Sequence, residues 1–174
     1  LHARLLDGDR SALNEVEALW NVSRSQVNNC DPVFEAWIDD GQLTPVITWQ
    51  RFSKTVQAGR NALARYVATL MPEQEREFAE LFLSVDRNPH LLEDRALFSA
   101  RTSEMTEIVL YGLRQLAVSD PGLALNLIDE YQAQFNFSVE DSVSLRRYTV
   151  QRLLFADRIE QAEAVLLESP ELIS

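Results

Sequence analysis

Apolar side chains return every three or four residues from one end of this chain to the other, and no alternating strand pattern runs longer than a few residues. That rhythm selects an all-α fold. Leu63, Tyr66, Val67 and Leu70 are predicted to share one face of a helix over 61–71, and Phe78, Leu81, Phe82 and Val85 one face over 73–86. Across 121–135, Leu123, Leu127, Tyr131 and Phe135 step by four while Ala124 and Ile128 widen the stripe.

Helix starts are marked by a capping side chain followed by proline at the first helical position, where no backbone N–H is needed. The pairs are Asp31-Pro32, Thr44-Pro45, Asn88-Pro89 and Asp120-Pro121, and Ser138 with Asp141 reads as an acidic capping box. Gly41 and Gly59 follow helical stretches as left-handed stops, and Pro72 and Pro170 forbid continuation. These signals predict helices near 1–6, 11–21, 32–40, 45–58, 61–71, 73–86, 89–99, 104–118, 121–135, 139–155 and 159–168. The short links between them make successive helices antiparallel.

Several of these helices are apolar on more than one side. Over 139–155, Val143, Val150 and Leu154 form one stripe while Leu145, Tyr148 and Phe155 extend around it. One hairpin cannot bury both sides, but hairpins stacked on hairpins can, which is the logic of an α-solenoid. The phrase Gly8-Asp9-Arg10-Ser11-Ala12-Leu13 also returns loosely as Gly59-Arg60-Asn61-Ala62-Leu63 and as Asp157-Arg158-Ile159-Glu160-Gln161-Ala162. The intervals are unequal and the tetratricopeptide consensus is not met. The expectation is therefore an α-solenoid or superhelix of about ten or eleven short antiparallel helices, tetratricopeptide-like but degenerate, with residues 1–174 forming one segment of it. A compact irregular bundle is the alternative.

Composition narrows the function. The 174 residues include 27 acidic and 16 basic side chains, a formal net charge of -11, which argues against a sequence-independent nucleic-acid binder. No apolar run approaches the roughly 20 residues that cross a bilayer, and no signal peptide opens these residues. The chain starts at Leu1, so its ends read as cuts. The lone Cys30 cannot form an internal disulfide, and His2 and His90 lie far apart with no ligand-spaced cluster, so no metal site is expected. No nucleophile elbow, phosphate-cradling loop, paired-histidine zinc motif or calcium loop is present, and no cofactor is expected.

Carboxylate pairs are the residues that could serve as acid and base. Glu35 with Asp39, Asp39 with Asp40, the Glu73, Glu75, Glu77, Glu80 series and Glu140 with Asp141 read as solvated groups, several favouring a helix N-terminus, so no catalytic residue is assigned. From Gly41 to Pro72 there is no acidic residue, while Arg51, Lys54, Arg60 and Arg65 fall there. This cationic island could contact an anionic polymer such as a glycan strand, or an acidic partner. The competing and favoured reading pairs it with the glutamate-rich helix that begins at Glu73. Trp20, Trp37 and Trp49 could form a sugar-stacking platform, but helical spacing favours core packing.

One stretch is family-like. It reads Leu19-Trp20, Asn29-Cys30-Asp31-Pro32-Val33-Phe34-Glu35-Ala36-Trp37, Gly41, Leu43-Thr44-Pro45, Trp49-Gln50-Arg51, Ala58-Gly59, Leu63-Ala64 and Leu70-Met71-Pro72. This resembles the superhelical domain of the soluble lytic murein transglycosylases. The resemblance implies a periplasmic enzyme of Gram-negative bacteria that cleaves the MurNAc–GlcNAc β-1,4 bond of peptidoglycan and leaves a 1,6-anhydro end. It further implies that the chemistry resides in a C-terminal lysozyme-like domain with a Glu-Ser motif. Glu168-Ser169 is followed by Pro170 and lacks that motif's context, so no catalytic position is carried over. The implied partners are peptidoglycan and the catalytic domain of the same parent chain, and the implied role is a non-catalytic scaffold. The alternative is a generic helical-repeat module that binds proteins; a third class, a self-contained glycosidase, would turn over peptidoglycan by itself. The resemblance also implies that Cys30 is half of a disulfide to a cysteine outside this segment.

Overall fold

Backbone N–H groups at the helix starts find the partners that the cap and proline pairs predict. In the computed structural model, which describes residues 1–172, Ile47 N–H donates to Thr44 Oγ1 at 3.3 Å, His90 N–H to Asn88 Oδ1 at 3.2 Å and Leu123 N–H to Asp120 Oδ1 at 3.0 Å. Each bond satisfies a donor that a first turn leaves orphaned. The acidic capping box forms as well: Asp141 N–H donates to Ser138 Oγ at 3.0 Å, and that hydroxyl donates to the Asp141 carboxylate at 2.6 Å. Asp31 departs from the pattern. A 3₁₀ turn at Asn28–Cys30 runs straight into the next helix, so Asp31 opens that helix instead of capping it.

Among the described residues there are ten α-helices and no strand: α1 His2–Leu6, α2 Val16–Trp20, α3 Asp31–Asp39, α4 Pro45–Gln57, α5 Asn61–Ala68, α6 Glu73–Arg87, α7 Ser103–Ser119, α8 Pro121–Phe135, α9 Val139–Phe155 and α10 Ile159–Glu168. The all-α expectation holds. The chain divides into two compact units, Leu1–Glu80 and the remainder from Leu81, with the boundary inside α6.

Two predicted helices are wound differently from expectation, for one reason. Residues 10–15 form a 3₁₀ turn before α2, and the helix expected over 89–99 is two 3₁₀ turns, Pro89–Glu93 and Arg95–Phe98. At each start an Asp or Asn accepts a bond from the N–H two residues on: Ser11 to Asp9 at 3.0 Å, His90 to Asn88 at 3.2 Å, Ala96 to Asp94 at 3.2 Å. A bond to the second residue, where a helix cap reaches the third, tightens the winding.

The recurring phrase has a common backbone cause. Gly8, Gly59 and Asp157, its three first residues, all take positive φ, at 85°, 67° and 58°. Each reverses the chain after a helix in the left-handed conformation.

In the first unit α4 and α5 form a hairpin through Ala58-Gly59-Arg60, and the core gathers Val16, Trp20, Trp37, Phe52, Val56, Ala64 and Val67, all at most 2% exposed. The face of α5 is rotated from the predicted stripe: Ala64, Val67 and Ala68 are buried while Tyr66 is 57% exposed. In the second unit α7, α8, α9 and α10 are successive hairpins, with Asp120 alone linking α7 to α8. Ile108, Leu113, Leu116, Ile128 and Leu153 are fully enclosed there. Gly112 lets the backbone of α7 come so close that a Cβ would lie 2.6 Å from Val85 Cγ1 and 3.0 Å from Leu92 Cδ1. On α9 the buried set is Leu145, Thr149, Val150 and Leu153, whereas Leu154 and Phe155, both expected in stripes, are exposed.

Candidate functional site

Short helices in the first unit end near one another and leave polar groups to be satisfied. Trp20 closes α2, buried and tilted against Trp37 with ring centroids 5.6 Å apart. Trp37 donates its indole N–H to Gln42 Oε1 at 3.1 Å, and Trp49 packs against Phe52 at 5.5 Å. The three tryptophans are core residues, as their spacing suggests.

The cationic island divides. Arg51 on α4 is only 4% exposed, with Cζ lying over the Trp20 ring at 4.4 Å from its centroid. Its Nε is enclosed without a hydrogen-bond partner. Burial pulls its pKa below the ordinary arginine value, against a smaller opposing pull from Tyr66, yet an arginine so placed stays charged at any physiological pH. Lys54, one turn nearer the C-terminus of α4, donates Nζ to the Asn21 carbonyl at 3.1 Å and to Asn21 Oδ1 at 3.0 Å. That places an ammonium at the carbonyl end of α2, where the helix dipole favours it. Arg51 and Lys54 therefore turn to the end of α2, not to the glutamate-rich α6 that the sequence suggested. Arg60 sits at the N-cap of α5 and Arg65 on its exposed side.

Beside Arg51 opens a groove of about 590 Å³. The buried Trp20 and Arg51 line it together with Leu63 and Tyr66 of α5 and Asp31 and Glu35 of α3. Asp31 and Glu35 are one helical turn apart, hence on one face, and both are exposed. Because Asp31 opens α3 instead of capping it, its carboxylate is available to the groove. Cys30, a free and half-buried thiol, directly precedes it. No group of three or more His, Cys, Asp or Glu that could hold a metal is found among the described residues.

Sequence reasoning singled out Arg51 but not the acidic wall facing the same space. The signal available was the four-residue spacing of Asp31 and Glu35, which puts both on one helix face.

No family model matches the chain. Over 99 residues, 57% of the chain, it is 30% identical to the soluble lytic murein transglycosylase of Escherichia coli strain K12. Over the same length it is 28% identical to that of Salmonella typhimurium strain LT2. These alignments span 14% of each relative. Among solved structures, an inactive mutant of the lytic transglycosylase Slt from Pseudomonas aeruginosa matches 97% of the chain with a TM-score of 0.78 and 31% identity. The 70 kDa soluble lytic transglycosylase of Escherichia coli matches 97% with a TM-score of 0.76 at 20% identity, a likeness of fold alone. The chain spans 28% of each of these structures. In sequence and in fold it is thus similar to part of the soluble lytic murein transglycosylases. No helix among the described residues is long and apolar enough to cross a membrane.

Proposed function

We propose that this chain, similar to a helical stretch of the soluble lytic murein transglycosylases, is a non-catalytic superhelical scaffold within a periplasmic peptidoglycan lytic transglycosylase of a Gram-negative bacterium. The observation that carries the reading is 31% identity and a TM-score of 0.78 sustained over 97% of the chain, against a protein of which it spans 28%. The parent cleaves the MurNAc–GlcNAc β-1,4 bond to leave a 1,6-anhydro end, and the glutamate that does so belongs to another domain of the same chain.

Two physical points support a scaffold over an active centre. Acid and base in a glycosidase stand on either side of the scissile bond, whereas Asp31 and Glu35 share one helix face one turn apart. Apolar residues at the α9–α10 turn, Leu154, Phe155 and Ile159, stay exposed, as hairpins do that a solenoid neighbour covers. The role is then geometric: a stiff helical wall that orients a strand for a reaction centre elsewhere, since orientation alone can remove several kcal/mol of a barrier. The exposed Arg60 and Arg65 are the cations available to touch such a strand, and Cys30 is paired with a cysteine elsewhere in the parent.

The test is the parent coding sequence beyond Ser174. A downstream lysozyme-like domain with a Glu-Ser motif is the expected result. A parent that lacks one leaves a generic helical-repeat module for protein partners. Separately, the 174-residue chain incubated with purified peptidoglycan is expected to release no 1,6-anhydro products by mass spectrometry, and their release contradicts the scaffold role.

A further inference from the structure

A buried guanidinium usually has a carboxylate beside it, because charge removed from water without a partner is costly. Arg51 is 4% exposed, and no hydrogen bond or ion pair to it is found among the described residues. The Trp20 ring lies under its Cζ, 4.4 Å from the centroid. A ring face attracts the cation from one side and does nothing for the N–H donors that point outward in the guanidinium plane. The fork of donors that suits a carboxylate is therefore unused, in the lining of a groove whose 590 Å³ falls within the range of small-ligand sites.

The rest of the lining says which carboxylate. Asp31 and Glu35 border the same space without pairing to Arg51. They repel a simple anion such as phosphate or sulfate, as does the chain's formal net charge of -11. A molecule that carries an ammonium as well as a carboxylate has no net charge to be repelled, and its cation answers the acidic wall. Phe34, Ile38 and Leu63 add apolar surface to the same lining.

We propose that this groove binds a short zwitterionic peptide, its carboxylate in the fork of Arg51 and its ammonium against Asp31 and Glu35. The site stands on the groove alone and holds whether or not the scaffold reading does, because nothing in it draws on peptidoglycan.

The experiment is an NMR titration of the whole 174-residue chain with alanyl-alanine, following the indole N–H resonance of Trp20, assigned with a Trp20→Phe variant. A saturable shift with Kd of about 1 mM or tighter is expected. Alanyl-alaninamide, which lacks the carboxylate, binds about tenfold more weakly, and N-acetyl-alanyl-alanine, which lacks the ammonium, is weaker by about threefold. The Asp31→Asn/Glu35→Gln double variant, altered only at exposed positions, erases the difference between the free and acetylated peptides. Arg51→Lys keeps the charge but loses the fork, and binds about tenfold more weakly with its helical circular dichroism unchanged. No saturable shift up to about 20 mM peptide, equal binding of the amide, or tighter binding of sulfate than of the dipeptide overturns the proposal.

Discussion

The two units of the chain use helices differently. In the first, α2, α3 and α5 run for 5, 9 and 8 residues. In the second, α7, α8 and α9 run for 17, 15 and 17 residues in consecutive hairpins. A long helix presents an unbroken apolar stripe, so the interior it forms can be almost wholly hydrocarbon. Short helices bring many ends together, and ends carry carbonyls, amides and side chains that need polar company. The buried Arg51, the Lys54 contact with Asn21 and the acidic-walled groove all fall in the first unit. The lesson is that short helices bring the groove's polar groups together, while long ones pair along apolar stripes.

Substitutions can break or sharpen that contrast. The largest effect is expected at Phe98, fully buried and edge-on to Tyr131 at 6.0 Å: Phe98→Ala lowers stability by about 3–5 kcal/mol in urea unfolding followed by circular dichroism. A loss below about 1 kcal/mol would show that the second unit is loosely packed. Gly112→Ala comes next. Alanine is the better helix former by about 1 kcal/mol, yet its Cβ meets Val85 at 2.6 Å, and the expected outcome is a net loss of about 1–3 kcal/mol. A gain would mean that α7 can move away at no cost. Ser138→Ala removes the capping box of α9 and costs about 1 kcal/mol by the same measurement. Smallest is Asp157→Gly, which relieves a non-glycine residue at φ 58° and raises stability by about 0.5 kcal/mol; unchanged or lower stability would show that Asp157 is at ease there.

What could be read from the sequence was short in range. Thr44, Asn88, Asp120 and Ser138 are caps because a hydroxyl, amide or carboxylate reaches an N–H two or three residues away, and that distance is written in the spacing. Spacing does not say whether the reach is two or three, so the windings after Asp9, Asn88 and Asp94 were expected to be α and are 3₁₀. Tyr66 shows a second limit: a ring in an apolar stripe can serve a groove as readily as a core, and only the packing of α5 decides. The groove lay furthest from view. The meeting of Arg51 with Trp20 depends on where α4 settles against the end of α2, and the freedom of the Asp31 carboxylate on a 3₁₀ turn running into α3, neither of which periodicity records.

If Arg51 is retained for a ligand and not for the fold, an apolar replacement should improve the fold and abolish the binding together. The decisive measurement is the thermal midpoint of Arg51→Met, taken with and without alanyl-alanine. Because a desolvated cation without an anionic partner is replaced by hydrocarbon, the midpoint should rise by about 2–4 °C, roughly 1 kcal/mol, and the dipeptide should no longer raise it further. A variant that melts below the parent chain, or one that the dipeptide still stabilises, would contradict the account.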